Sequence, residues 1–352
     1  MRLAASTANG AEMVSNGHSA APLVPPHVAR DHPIVTRDYS LFTLAIHEMV
    51  QSIAGWLDDQ VDGATIFGPS RFGKSSAIDH WLQKLLSERH GGSVPMVVWS
   101  RLDSGGTQSV GRFYANLLDA SRHPMAQAVR SPLDRQHMLI ERCMAMAAQG
   151  GGRFLVLVID EAQSMTQREW IWLVELHSTL EKQRIRLCVF SVASLQLFDE
   201  PIGMALSGGA HVAARFMLAA KPFHGVRSVQ ELAYVMSGYD EGTAWPPRFG
   251  LSYTAGLAPM AWANGCRMKD QAAALMKAMT DELPPRYAVP IEFPMKTVTQ
   301  ACRHVLLRLA GGADWRDVTS PESWQSIVAG TGHKTLMAIV SAAAPKLRQS
   351  AR

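Results

Sequence analysis

The residues able to do chemistry fall in two short runs. Gly68-Pro69-Ser70-Arg71-Phe72-Gly73-Lys74-Ser75 fits G-x-x-x-x-G-K-[ST], the phosphate-binding P-loop. Its two glycines let the backbone turn tightly, so that successive N–H groups point inward at an anion. Lys74 then reaches the β- and γ-phosphates, and the Ser75 hydroxyl can ligate Mg²⁺. Ser76 follows at the start of the next helix, whose N-terminus faces the same anion. The second run, Asp160-Glu161-Ala162-Gln163, has the Walker B pattern. Asp160 would hold Mg²⁺, directly or through a water, and Glu161 would polarise the attacking water. That pair argues for ATP hydrolysis and not for binding alone.

Such residues need elements to aim them. Ala64-Thr65-Ile66-Phe67 reads as a short buried strand before the P-loop, and Ser75 to Leu82 opens a helix after it. Phe154 to Ile159 is an unbroken β-prone apolar run, as expected of a strand buried on both faces of a parallel sheet. Met96 to Ser100 and Arg186 to Val192 supply two more strands. Helical patterns cover Thr36 to Leu57, about 108–120, about 133–148, and a stretch holding Trp170, Trp172, Leu173, Leu176 and Leu180. Alternation of this kind implies an α/β P-loop NTPase with a central parallel sheet flanked by helices. Past about 225 only helices and loops remain: Val229–Tyr239, Gly256–Trp262, Met268–Met279, then 296–309, 322–328 and 333–347. The expected organisation is a flexible N-terminal tail (1–33), a nucleotide-binding domain (34–225), a helical lid (226–282) and a C-terminal helical extension (283–352).

Composition narrows the function classes. The chain has 352 residues, 47% hydrophobic and 18% charged, with a formal net charge of +4. That mild basic bias permits nucleic-acid binding without demonstrating it. No apolar run approaches the roughly 20 residues of a membrane span, and Met1 to Ser6 lacks a signal-peptide core. Cys143, Cys188, Cys266 and Cys302 are scattered, as reduced thiols of a cytoplasmic protein would be. Gly330-Thr331-Gly332-His333-Lys334-Thr335 echoes a P-loop but has His before the lysine, and reads as a helix start. Trp170 and Trp172 lie two apart on a helix, which suits packing better than base stacking.

Together, the P-loop, the Asp160-Glu161-Ala162-Gln163 box and a polar-ended strand before a helical lid resemble the AAA+ superfamily. Within it the chain is similar to the TnsC/TniB group of transposition ATPases, relatives of phage Mu B and of ExeA-type ATPases. The matching stretches are Ser191-Val192-Ala193-Ser194-Leu195-Gln196-Leu197, Ala214-Arg215-Phe216 before Phe223-His224-Gly225-Val226, and Asn264-Gly265-Cys266-Arg267. The resemblance implies Ser194, or Ser191, as the γ-phosphate sensor, though the usual Asn or Gln is missing at Ser194. It implies Arg215 as an arginine finger acting on a neighbouring subunit's ATP, and Arg267 as a second sensor on the lid. Each arginine is also open to a structural reading. The adenine would lie near Pro33-Ile34-Val35-Thr36. Partners implied are double-stranded DNA bound without sequence preference, a transposase, a target selector, and further copies of the chain in a ring or filament. Arg101, Arg112 and Arg122, with Thr107 and Gln108, are the DNA-contact candidates. Two alternatives stay open: an ATP-driven loader or signalling ATPase that remodels a protein without binding DNA, and a small-molecule kinase.

Overall fold

In the computed structural model, residues 22–102, 105, 108–194, 200–247, 250–285, 287 and 289–343 are described. Five parallel strands form one sheet in the order β2-β3-β4-β1-β5. They are β1 (Gly63–Phe67), β2 (Met96–Ser100), β3 (Phe154–Asp160), β4 (Arg186–Ala193) and β5 (Ala219–Pro222). The apolar runs of β3 and β4 sit at the centre, where both faces must be covered. Side chains alternate between faces. Leu155, Leu157 and Ile159 join one core with Phe113, Leu139, Trp170 and Phe216, while Val156 and Val158 join another with Ile53, Ile66, Leu82 and Phe190.

The first core is roofed by α5 (Val110–Ala120), α6 (Pro132–Gln149), α7 (Gln167–Lys182) and α9 (Ala210–Phe216), the last following α8 (Glu200–Met204). Trp170 is buried there and Trp172 packs against it from the rim. The opposite face carries α2 (Leu44–Asp58) and the helix after the P-loop. That helix runs from α3 (Lys74–Ala77) through a π-helical turn (Ile78–Leu82) into α4 (Gln83–His90).

Three sequence expectations need correction here. The helix expected from Thr36 is two elements: α1 (Pro33–Thr36) ends at Arg37, whose φ of 65° is left-handed, and α2 begins only at Leu44. Thr43 caps α2, its hydroxyl accepting the Ile46 N–H at 3.1 Å. The strand β5 was not expected, because Ala219-Ala220-Lys221-Pro222 holds no β-branched or aromatic residue; a short strand with Lys and Pro suits the sheet edge it occupies. Finally, residues 22–33 do not hang free: Leu23, Val24 and Val28 pack into the C-terminal helical core.

That core is formed by α10 (Val229–Asp240), α11 (Tyr253–Leu257), α12 (Pro259–Ala263), α13 (Ala272–Asp281), α14 (Met295–Ala310), α15 (Trp315–Val318), α16 (Pro321–Gly330) and α17 (His333–Ala343). Residues on both sides of position 282, among them Leu275, Met279, Val305 and Trp324, belong to one cluster. The P-loop echo at 330–335 spans the turn between α16 and α17. No helix among the described residues is long and apolar enough to cross a membrane.

Candidate active site

The P-loop leaves β1 at Gly68, whose N–H donates to the Ala193 carbonyl of β4 at 3.2 Å. A Cβ on Gly68 would stand 2.5 Å from the Phe223 carbonyl oxygen, so only glycine passes there. At the far end Gly73 has φ 110° and delivers Lys74 as the first helical residue. Phe72 is buried and anchors the loop in the core under α2. Lys74 is 8% exposed. Its Nζ donates to the carbonyls of Gly68 and Pro69 at 2.9 and 2.8 Å. Burial pushes the ammonium down to about 8, against the opposing pull of Glu161 and Asp160.

Two strands away, β3 ends in Asp160, buried beside the P-loop helix. Burial raises its carboxyl, while hydrogen bonds from the Ser75 side chain and the Glu161 N–H, together with the charge of Lys74, pull it the other way. The Glu161 N–H donates to Asp160 Oδ1 at 3.0 Å. Glu161 itself is left-handed, with φ 57° and ψ 39°. Its carboxylate accepts a hydrogen bond from Gln163 Nε2, and Gln163 Oε1 accepts the Ser194 N–H at 3.0 Å. Ser194 therefore stands at the end of β4, one residue past the Phe67–Ala193 pair, and is tied to the Walker B turn. Ser191 is fully buried within β4, and its Oγ has no hydrogen-bond partner among the described residues.

The P-loop residues from Ser70 to Ser76 and Glu161 line a cleft of about 660 Å³. Besides Ile46, Asp79, His80 and Phe223, its walls come from two places that carry no motif. One is the strap before α2, with Arg37, Tyr39, Ser40, Leu41 and Thr43; the other is the first turns of α14, with Met295, Lys296, Thr299 and Gln300. Ser40 Oγ holds Ser76 Oγ at 2.7 Å and accepts Trp81 Nε1 at 2.8 Å, fixing the strap to the P-loop helix. Tyr39 and Tyr239 share a 2.9 Å hydroxyl contact, fixing it to α10. The Lys296 N–H donates to the Arg71 carbonyl at 3.2 Å, so α14 docks on the P-loop itself. Glu292 strengthens that dock by accepting the Gly225 N–H at 2.8 Å beside its 2.8 Å contact with His224. No composition or spacing signal marks these wall residues; their convergence is tertiary.

Several expected residues lie elsewhere. Arg267 is not at the cleft: Nη1 donates to the Trp262 and Cys266 carbonyls, and the guanidinium sits 3.4 Å over the Trp262 ring. The cation facing the P-loop from the helical region is Lys296 instead. Pro33 to Thr36 do not line the cleft; Ile34 is buried in the helical core, and the strap just after it forms the wall. Arg101 is 3% exposed and makes a two-point ion pair with the buried Glu169, at 2.9 and 3.2 Å. It is a structural charge and not a DNA contact. Glu169 also closes the N-terminal capping box of α7 with Thr166, so the pair joins the end of β2 to α7. Arg112 opens α5 and Arg122 lies just past its end, exposed, so about 15 Å of helix separates them. Thr107 and Leu195 to Leu197 lie outside the described residues.

Arg215 sits at the other end of the sheet. The Phe216 backbone packs against Gly63 at the start of β1, whereas the P-loop leaves its end, about 15 Å away. Nη1 of Arg215 contacts Ser178 Oγ at 2.8 Å and His177 Nδ1 at 3.4 Å. It cannot touch a phosphate held by its own P-loop.

Comparison with known proteins agrees with this geometry. Residues 62–198 match the family model described as an AAA domain. The chain carries an AAA+ P-loop NTPase fold. No curated protein sequence matches it. Among solved structures it is similar to the Aeropyrum pernix ORC2 protein, at 14% identity and a TM-score of 0.49 over 86% of this chain and 72% of that one. It is also similar to Drosophila ORC bound to DNA, at 11% identity and a TM-score of 0.48 over 82% and 66%. A third is the HORMA:CdnC:Trip13 complex of E. coli MS115-1, at 12% identity and a TM-score of 0.43 over 81% and 84%. The chain thus spans about two thirds of the length of the Drosophila ORC chain it matches. The fold assignment rests on the sheet order, the P-loop and the matched domain.

Proposed function

We propose that the protein is a Mg²⁺-dependent ATPase. The observation that carries this is the convergence of Lys74, Ser75, Asp160 and Glu161 at one end of one parallel sheet, beside a cleft of nucleotide size. A phosphate seated at the α3 N-terminus would draw Lys74 Nζ off the loop carbonyls. Ser75 and Asp160 form a hydroxyl and carboxylate set that suits a hard cation such as Mg²⁺, which would neutralise charge on the phosphates. Glu161 takes a proton from water as the water oxygen bonds to the γ-phosphorus and the bond to ADP breaks. Lys296 supplies a positive charge from the helical side.

The finer reading is an ATPase that oligomerises on duplex DNA and links a target selector to a transposase. It rests on the sequence resemblance at 191–197 and 214–216. Arg215, remote from its own P-loop, would complete a neighbouring copy's site, its guanidinium neutralising the γ-phosphoryl oxygens. The burial of Arg101, which removes one DNA-contact candidate, favours the second reading, a loader or signalling ATPase acting on a protein partner. Electron microscopy with duplex DNA in ATP, a slowly hydrolysed analogue or ADP separates them. Rings or filaments on DNA in the triphosphate states support the transposition reading; monomers throughout move the proposal to a protein client. Arg215→Ala is expected to lose turnover in assembled protein and regain part of it when mixed with Lys74→Ala. Absence of that rescue removes Arg215 from the site.

A further inference from the structure

Glu161 occupies a costly conformation. A residue with a side chain in the left-handed region gives up about 1–2 kcal/mol, and such strain collects where function over-determines geometry. The turn that enforces it is short: the Ser164 N–H donates back to the Glu161 carbonyl at 2.9 Å, closing the 3₁₀ turn Ala162–Ser164. This turn aims two side chains at each other. Gln163 Nε2 donates to one Glu161 carboxylate oxygen, Oε2, while Gln163 Oε1 accepts the Ser194 N–H at 3.0 Å. A single carboxamide therefore spans from the carboxylate to the end of β4, the strand that also receives the first N–H of the P-loop through Ala193.

We infer that Gln163 is a positioning residue for hydrolysis, clamping the Glu161 carboxylate to the end of β4. The inference rests on the hydrolytic reading above. With Oε2 held by Gln163, Oε1 is the oxygen that meets the water in the cleft Glu161 lines. The carboxamide is suited to this because it donates at one end and accepts at the other; no other uncharged side chain of that length does both. Its anchor is a backbone N–H, so the carboxylate is referenced to the sheet and not to a mobile side chain. A displacement of the β4 end is passed to the catalytic carboxylate through two hydrogen bonds. Gln163 is thus the point where the end of β4 and the base are joined.

Two substitutions in the full-length chain distinguish this from a structural brace. Gln163→Ala removes both hydrogen bonds. Gln163→Glu keeps an acceptor for the Ser194 N–H, removes the donor to Glu161 and places a second carboxylate beside it. Turnover and nucleotide affinity are measured separately, with melting temperature as the folding control. Both variants are expected to turn over about 10–100-fold more slowly while affinity stays within about twofold. A brace predicts instead that Gln163→Glu restores the wild-type rate; that result overturns the inference, and Gln163→Glu decides the matter even if Gln163→Ala fails to fold. If the wild-type chain binds nucleotide but hydrolyses none, the hydrolytic reading fails first and this inference falls with it.

Discussion

The sheet half and the helical half of this molecule build the same cleft in opposite ways. The sheet half brings contiguous residues: seven successive positions from Ser70 to Ser76, and Glu161 next to Asp160, each set delivered by the end of one strand. The helical half brings single residues from distant places, with Lys296 and Thr299 on α14 and Tyr39 held by Tyr239. Chemistry that needs backbone N–H groups in sequence must be written as a motif. Closure of a cleft needs only that some side chain arrive, so it leaves no pattern.

This contrast can be broken by experiment. The largest effect expected is Arg101→Met. It strands the fully buried Glu169 charge and should destabilise the sheet half by about 3–5 kcal/mol, read by denaturant unfolding. An exposed DNA-contact arginine would cost almost nothing, so a change under about 1 kcal/mol returns Arg101 to the surface. Glu161→Gln should follow, lowering turnover by about 10²–10³ with ATP affinity retained; a wild-type rate removes Glu161 from the chemistry.

The pH response tests Lys74. Its ammonium is held at about 8, so above that pH the lysine is increasingly neutral. A phosphate stabilises the charged form and binding must then take up a proton. Affinity should therefore fall as pH rises past 8, by up to about tenfold per unit, with proton uptake seen by calorimetry in buffers of different ionisation enthalpy. Affinity flat from pH 7 to 9.5 would mean the lysine stays charged throughout.

The smallest effects compare the two candidate cations of the helical half. Lys296→Ala should weaken ATP binding about fivefold, while Arg267→Ala, which loses its stack on Trp262, should leave binding within about twofold and lower only the melting temperature. The reverse order would restore Arg267 as the nucleotide-facing group.

Legibility followed the same division. The α/β fold, four of the strands and the P-loop and Walker B runs were readable, because apolar runs and glycine spacing have local physical causes. Arg101 was misread since charge in a sequence argues for exposure, and only the tertiary fold shows the carboxylate that neutralises it. The β5 edge was invisible because an edge strand with one Lys and one Pro need not look like a strand. The strap was read as helix because Leu41 and Leu44 carry helical spacing, while the left-handed Arg37 that breaks it has no sequence mark. Gln163 belongs to the Walker B run, but its double hydrogen bond needs the β4 end, 31 positions later, to be seen.

The strap has a mechanical consequence. Val28 and Ile34 are embedded among the C-terminal helices, and Ser40 is fastened to the P-loop helix, with five residues between Ile34 and Ser40 to cover the distance. A chain that short has little slack, so the two halves cannot swing apart without tightening it. A displacement of Val28 or Ile34 among those helices would therefore act as a lever whose short arm is the wall of the cleft.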